Sequence, residues 1–442
     1  MVRDKMVLSA ILQIGGYDNR AWRLPGSRAE EIGTLGVLTE VAQRYEAAKL
    51  DSLFMADQIS ANPLLRGDVK YGAPYEPLTA LSALAGVTSR IGLIATMSTT
   101  YNHPFTLARQ LQALDVLSGG RAGWNIVTSS SAEENYGIEL PSKVDRYRRA
   151  AEFTAVVRAL WAAWSDEAVI VDRAAGRWLD ASKIRGIDHT GEFFRVQGFT
   201  NQRRSPQGHP VIVQAGQSAS GLDFGADVAD AVYTVQPQRE TSVEYYANYK
   251  ANVAAKGRNP DHVKILPGLS PYIGATEKEA RDLFESLVEF VDFDAARLTF
   301  GAALGADVTD LDLSDKIPME RFESIPDAMI GRLMVYRYLT SEEDYTLRDV
   351  LINWRSVTGH LTMVGTASQV ADKMVKWFDS YACDGFSLNA PVFPDSIETI
   401  CDQLVPELQS RGYFRTEYEE STLRGHFGLP IPPAWDGATD DE

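Results

Sequence analysis

The sequence is poor in several residue classes, and each shortage narrows what the chain can be. Only two cysteines occur in 442 residues, Cys383 and Cys401. Neither lies in a CxxC or zinc-ligand spacing, so two buried thiols in a reducing cytoplasm are the expectation. The six histidines are scattered, with no HExxH or other ligand spacing, and no metal site is expected. No apolar run approaches the ~20 residues that span a bilayer. The N-terminal residues lack the basic start, apolar middle and small-residue cleavage site of a secretory signal. A cytoplasmic location follows as the expectation.

Positive charge is also short. Lys and Arg number 43 against 60 Asp and Glu, a formal net charge of −17. Nucleic acid and membrane surfaces are themselves anionic, so neither is the expected partner. A small anionic ligand is still compatible, because one helix N-terminus or one local basic patch is enough to hold a phosphate. Several signatures are missing too: GxxxxGK[ST], GxGxxG after a strand, and GxSxG. The usual phosphate-loop, dinucleotide and nucleophile-elbow chemistries have no foothold.

What is present is alternation. Short β-prone apolar runs at Met6–Gln13, Ser52–Ala56, Ile91–Met97, Ala122–Val127, Val211–Gln214, Ala231–Val235, Val263–Ser270 and Gly385–Asn389 predict eight strands. They are too apolar to have one face in water, so helices should cover both sides. Helix patterns at Thr39–Leu50, Pro77–Thr88, Thr106–Leu117 and Val144–Trp164 lie between or after them. In the last, Val144, Tyr147, Ala151, Thr154, Trp161 and Trp164 are spaced as one helical face. Thr276 with Glu279, Thr366 with Gln369 and Asp395 with Glu398 have the spacing of capping boxes.

Hydrophobic residues make up 45% of the chain and charged residues 23%, enough for a large core. The expected fold is α/β, a (β/α)₈ TIM barrel with insertions at its C-terminal face. A doubly wound open sheet is the alternative. The expected domain is a single barrel over residues 1–418, with insertions at about 166–210 and 293–360. The first should contain a strand pair around His189–Gln197, the second helical pieces around Ile325–Tyr338. Residues 419–442 read as a surface arm with a disordered tip.

In such a barrel the catalytic face is the edge where strands end. Four predicted strands end in polar groups: Asp57; Ser98 with Thr99 and Thr100; Asn125 with Thr128; and Ala215-Gly216-Gln217-Ser218. Asp57 either caps the next segment or faces a ligand. Thr99 either closes a turn or does the same. Asn125 sits inside an apolar strand, where an unpaired amide costs about 1–3 kcal/mol, so it needs a partner, backbone or ligand. The Ala215–Ser218 turn leads into a helix whose free N–H groups suit a phosphate. Lys143, Arg146, Tyr147, Arg148 and Arg149 form a basic cluster in an acidic chain. It is either a solvated, salt-bridged face or a set in which Lys143 and Tyr147, one turn apart, reach an anion. His103 before Pro104 suits a turn. Tyr17, Trp22 and Tyr71 are candidate pocket walls, and Phe54 and Met55 are placed near any ligand.

These blocks resemble the luciferase-like flavin-dependent monooxygenases, in the two-component branch that includes nitrilotriacetate, EDTA, dibenzothiophene-sulfone and long-chain alkane monooxygenases. The resemblance rests on Ala21-Trp22-Arg23-Leu24-Pro25, Ser98 through Phe105, Gly119 through Ser129, Gln214 through Ser218, Gly365-Thr366, Asp384-Gly385-Phe386 and Leu404 through Gln409. It implies FMN, delivered reduced by a separate NAD(P)H-dependent flavin reductase, and O₂ as co-substrate reacting through a flavin C4a-peroxide. It implies that Asp57, Thr99, Asn125 and Tyr147 surround the ring and ribityl chain, while Gly216, Gln217 and Ser218 hold the phosphate. Lys143 stands where several relatives carry His, which replaces a group titrating near neutrality by a fixed cation. Gln217 stands where they carry a second Ser. The substrate is a small organic molecule oxidised at sulfur, nitrogen or carbon, and a homodimer or homotetramer is expected. Two rivals make different predictions: a flavin-independent barrel hydrolase or lyase using Asp57, and a non-catalytic flavin-binding barrel.

Overall fold

The computed structural model describes residues 5–60, 67, 74–129, 131–322, 330–341, 343–356 and 358–434. Eight parallel strands close a barrel: β1 (Val7–Ile11), β2 (Ser52–Met55), β3 (Gly92–Ser98), β4 (Ala122–Val127), β5 (Val211–Gln214), β6 (Ala231–Thr234), β7 (Lys264–Ile273) and β8 (Gly385–Leu388). The last pairs back with the first, Val7 opposite Gly385. A row started at Ser9 and carried round through the registers returns to β1 displaced by eight residues, the shear of the (β/α)₈ enzymes. The open-sheet alternative is thereby excluded.

Helices α1 (Leu35–Ala47), α2 (Pro77–Ala85), α3 (Pro104–Leu117), α4 (Lys143–Ala162), α5 (Ala219–Val228), α6 (Arg239–Ala255), α7 (Glu277–Val288) and α8 (Ala367–Asp379) lie between the strands. Local chemistry sets their starts. His103 is the N-cap of α3, its Nδ1 accepting from the Phe105 amide at 3.3 Å. Thr366 and Gln369 complete a reciprocal capping box on α8. The Thr276 side chain accepts from the Glu279 amide at 3.2 Å. Asp395 does not cap: its helix begins at Asp395 itself, after Pro394, with no side-chain cap bond.

Inward and outward residues alternate along each strand. The register and shear place Phe54, Asn125, Tyr233 and Ser387 in one inward ring, drawn from alternate strands. Contacts across the interior agree: the Phe54 and Tyr233 rings meet edge to face at 4.6 Å, and the Tyr233 and Ser9 hydroxyls lie 2.7 Å apart. Met55, one residue on, turns outward into the main core between strands and helices.

Four differences from the sequence expectation stand out. A ninth strand, Leu361–Gly365, pairs with the upper half of β7 from Leu269 to Ile273 and is not a barrel stave; it follows the expected insertion and is not among the eight expected strands. The buried residues of α4 are Ala150, Phe153, Thr154, Val156, Val157, Leu160 and Trp161, while Val144 and Ala151 are exposed. The expected stripe was rotated because it took Val144 as an anchor. The insertion before that strand has its own core, in which Phe300, Tyr336 and Trp354 pack together, and Val235 at the end of β6 packs against it.

The largest difference is at the C-terminus. Residues 419–434 are not a surface arm. The short helix Leu423–His426 plugs the N-terminal end of the barrel, burying Leu423, Phe427 and Leu429 against Val7, Ile94, Val211 and Ala231. Arg424 donates to Asp230 at 3.0 Å, and Arg415 pairs with the buried Asp51. Burying three apolar side chains there contributes on the order of 5 kcal/mol, and the two ion pairs fix the orientation. The expected hairpin in the first insertion is present, Ile187–Thr190 with Arg195–Gly198. The expected disordered tip lies outside the described residues, as does Tyr71.

Candidate active site

With one end plugged, the other is where ligands enter. Strands β2 to β5 are neighbours, so Asp57, Thr99, Asn125 and the Ala215–Ser218 turn stand side by side at the C-terminal edge. Their side chains do not all face inward.

Asn125 is buried in the strand opposite Thr96 and Val213. Its amide Nδ2 donates to Thr96 Oγ1 at 3.0 Å. Its Oδ1 is buried and has no partner, leaving one acceptor aimed into the barrel. On the adjoining strand, Ser218 is the N-cap of α5, with extended backbone and its Oγ accepting from the Gly221 amide at 3.3 Å. The helix opens toward the mouth, so its first N–H groups and its dipole face any ligand there.

Tyr147 joins this turn from α4. A Cβ at Gly216 would stand 3.1 Å from the Tyr147 hydroxyl and 2.3 Å from Gln214 Nε2; one at Gly221 would stand 2.8 Å from the same hydroxyl. Glycine at both positions lets the phenol lie directly on the turn. The ring is held by Phe224, edge to face at 5.9 Å. Lys143 starts α4 one turn earlier.

Other predicted residues are committed elsewhere. Thr99 is fully buried, and its hydroxyl donates to the Val127 carbonyl at 3.3 Å. Gln217 turns away from the helix start and donates to Thr234 Oγ1 at 2.9 Å. In the basic cluster, Arg148 pairs with Asp145 and Glu192, the solvated reading. Arg149 donates to the Thr99 carbonyl at 3.3 Å and lies over Phe194. Asp57 keeps part of its surface open, yet surrounding protein, and then the charge of Glu76, push its carboxyl above the usual range.

The sequence reading missed the β7–β8 side of the mouth. Asn389 follows β8 and is completely buried, and neither Nδ2 nor Oδ1 has a partner. The rule that polar residues end strands at the mouth applies to it as well as to Asp57. His360 comes from the insertion and packs its Nδ1 where a Cβ on Gly268 would be, 2.3 Å away. Tyr17 meets that imidazole edge to face at 5.9 Å. No pattern in the sequence brings His360 to β7. Among the described residues no group of three or more His, Cys, Asp or Glu could hold a metal ion, and no helix is long and apolar enough to cross a membrane.

Fold and site together define a (β/α)₈ barrel that gathers polar side chains and a helix N-terminus at its C-terminal edge. The luciferase-like monooxygenase family profile matches residues 17–382. The chain is 39% identical over 434 residues to N-acetyl-S-(2-succino)cysteine monooxygenase of Bacillus subtilis (strain 168), covering 97% of this chain and 98% of that protein. It is 37% identical over 446 residues to nitrilotriacetate monooxygenase component A of Aminobacter aminovorans, covering 97% of each. The structure of EDTA monooxygenase from Chelativorans sp. BNC1 matches with a TM-score of 0.82 at 32% identity, over 97% of this chain and 99% of that one. The chain belongs to the luciferase-like monooxygenase family and is a flavin-dependent monooxygenase.

Proposed function

We propose that this enzyme inserts one oxygen atom from O₂ into a small organic substrate, using reduced FMN supplied by a separate NAD(P)H-dependent flavin reductase. One observation carries the cofactor placement: the unpartnered Asn125 acceptor lies on the strand beside the glycine-lined start of α5, with the Tyr147 hydroxyl on that turn. These residues fit FMN. The first amides of α5 and the Ser218 hydroxyl would hold the phosphate. Asn125 Oδ1 would accept from an N–H on the ring edge. Tyr147 would give its hydroxyl to the ribityl chain or phosphate, and the Lys143 cation one turn away would add attraction for the anionic tail. Asp57 would stand at the ring's open edge; the Thr99 side chain serves the turn instead, since its hydroxyl is already engaged.

When bound, reduced flavin supplies the electrons that activate O₂. The chain's own tasks are to orient substrate against the ring and to exclude water. For the second task we read the segment at 293–360 as a cover: its described residues share an apolar core, one of them packs with Val235 at a strand end, and His360 reaches another. The relative named component A belongs to a multi-component enzyme, which supports a separate reductase here. The relatives' names point to thioether and amino-polycarboxylate substrates.

The test is labelled turnover. With a flavin reductase, NADH and ¹⁸O₂, product should carry one ¹⁸O atom, and reduced FMN should bind more tightly than oxidised FMN. Product labelled from water, or formed without flavin, would overturn the reading.

A further inference from the structure

The β7–β8 side of the mouth holds more unsatisfied polar groups than any structural purpose explains. Asn389 is fully buried with both amide atoms unpartnered, and the Ser387 and Ser270 hydroxyls, also buried, have no partner. The three are neighbours. Gly268 faces Ser387 and Leu269 faces Leu388, so Ser270 falls beside Asn389 in the next register. Alternation along both strands puts them on the inner face, because Ser387 is in register with Ser9, which reaches Tyr233 across the interior. In the ring of Asn389, the alternate staves contribute Ala56, Val127 and Val235, and no side chain among the described residues hydrogen-bonds the amide.

Leaving a buried amide unpaired costs about as much as a lost hydrogen bond, and a leucine of the same shape would avoid the cost. Asn389 is therefore out of place unless something visits it. An asparagine amide offers a donor and an acceptor side by side, and the complement of both together is another amide. We propose that Asn389, supported by Ser387 and Ser270 and bordered by His360 and Tyr17, is a substrate subsite that binds a carboxamide group. This rests on the mouth being the catalytic face, and it narrows the substrate to a molecule carrying an amide beside its oxidisable atom.

Three matched thioethers test it: 3-(methylthio)propanamide, 3-(methylthio)propanoate and butyl methyl sulfide. Ligand-observed NMR on the full-length protein without flavin should show the amide bound in preference to both others. Asn389→Leu should cut its affinity about tenfold while leaving reduced-FMN affinity unchanged and keeping or raising Tm, since it removes two unpaired atoms. Ser387→Ala, a smaller change, should shift amide affinity the same way by a lesser factor. Preference for the sulfide or for the propanoate alone would overturn the proposal, as would a folded Asn389→Leu protein that binds the amide like wild type. A lower Tm with unchanged amide binding would overturn it too, because the asparagine would then be structural. A protein that binds the amide through Asn389 but does not bind reduced FMN would keep this subsite and sink the cofactor reading instead.

Discussion

At the scale of single residues, the site is set by which polar atoms the fold leaves without partners. Thr99 and Gln217 stand at the expected strand ends, but the Thr99 hydroxyl proton goes to a carbonyl and one Gln217 N–H goes to a threonine hydroxyl. Position at a strand end is legible in sequence; the hydrogen bond that uses up the side chain is not. Asn125 and Ser218 remain, and each carries a prediction. Ser218→Asp should leave α5 capped, since Asp serves that position as well as Ser, yet put a negative charge where the phosphate must sit. Reduced-FMN affinity should fall by at least about 100-fold with Tm within a few degrees, measured by anaerobic titration and a thermal melt. Asn125→Ala removes the acceptor and should weaken the same affinity about tenfold. Unchanged titrations for both would place the flavin elsewhere.

At the scale of elements, sequence pattern did well where one period governs a segment. Eight buried strands, the hairpin and the Thr366 cap were readable because apolar runs and N-cap chemistry are local. The strand Leu361–Gly365 and the plug helix were not, because each is defined by what it packs on: the extended half of β7 for one, the open end of the barrel for the other. The plug also makes a pH prediction. His426 donates from Nε2 to the Arg90 carbonyl at 2.8 Å and accepts at Nδ1 from Arg415 at 3.1 Å. Burial holds its imidazole down at about 4. The folded protein keeps it neutral while the unfolded chain protonates it near 6.5, so its contribution is intact above that pH and drains away as pH falls toward about 4. The loss amounts to about 3 kcal/mol. Glutamine can make both hydrogen bonds without titrating. The stability of wild type relative to His426→Gln should therefore fall between pH 6.5 and 4 in urea melts. Parallel curves would show that the imidazole titrates freely.

At the scale of the whole molecule, the barrel is asymmetric along its axis. One end is filled by the segment Leu423–Leu429; the other carries unsatisfied polar groups and a helical insertion with a separate core. Catalysis that must keep water out needs the second end to close after binding. Reduced FMN with substrate should slow amide hydrogen exchange across residues 293–360 by about tenfold or more, with little change in the plug. Exchange unaltered in that segment would mean it is scaffold rather than cover. A net charge of −17 also makes encounter with any acidic protein unfavourable at low salt.

The pairing of Val7 with Gly385 bears on how the molecule is made. During synthesis β1 leaves the ribosome well ahead of its partner, which emerges more than 370 residues later. Until then one edge of the growing sheet stays open to any passing strand. The cell must shepherd the open barrel for tens of seconds at ordinary elongation rates, and the stopper for the far end arrives after β8.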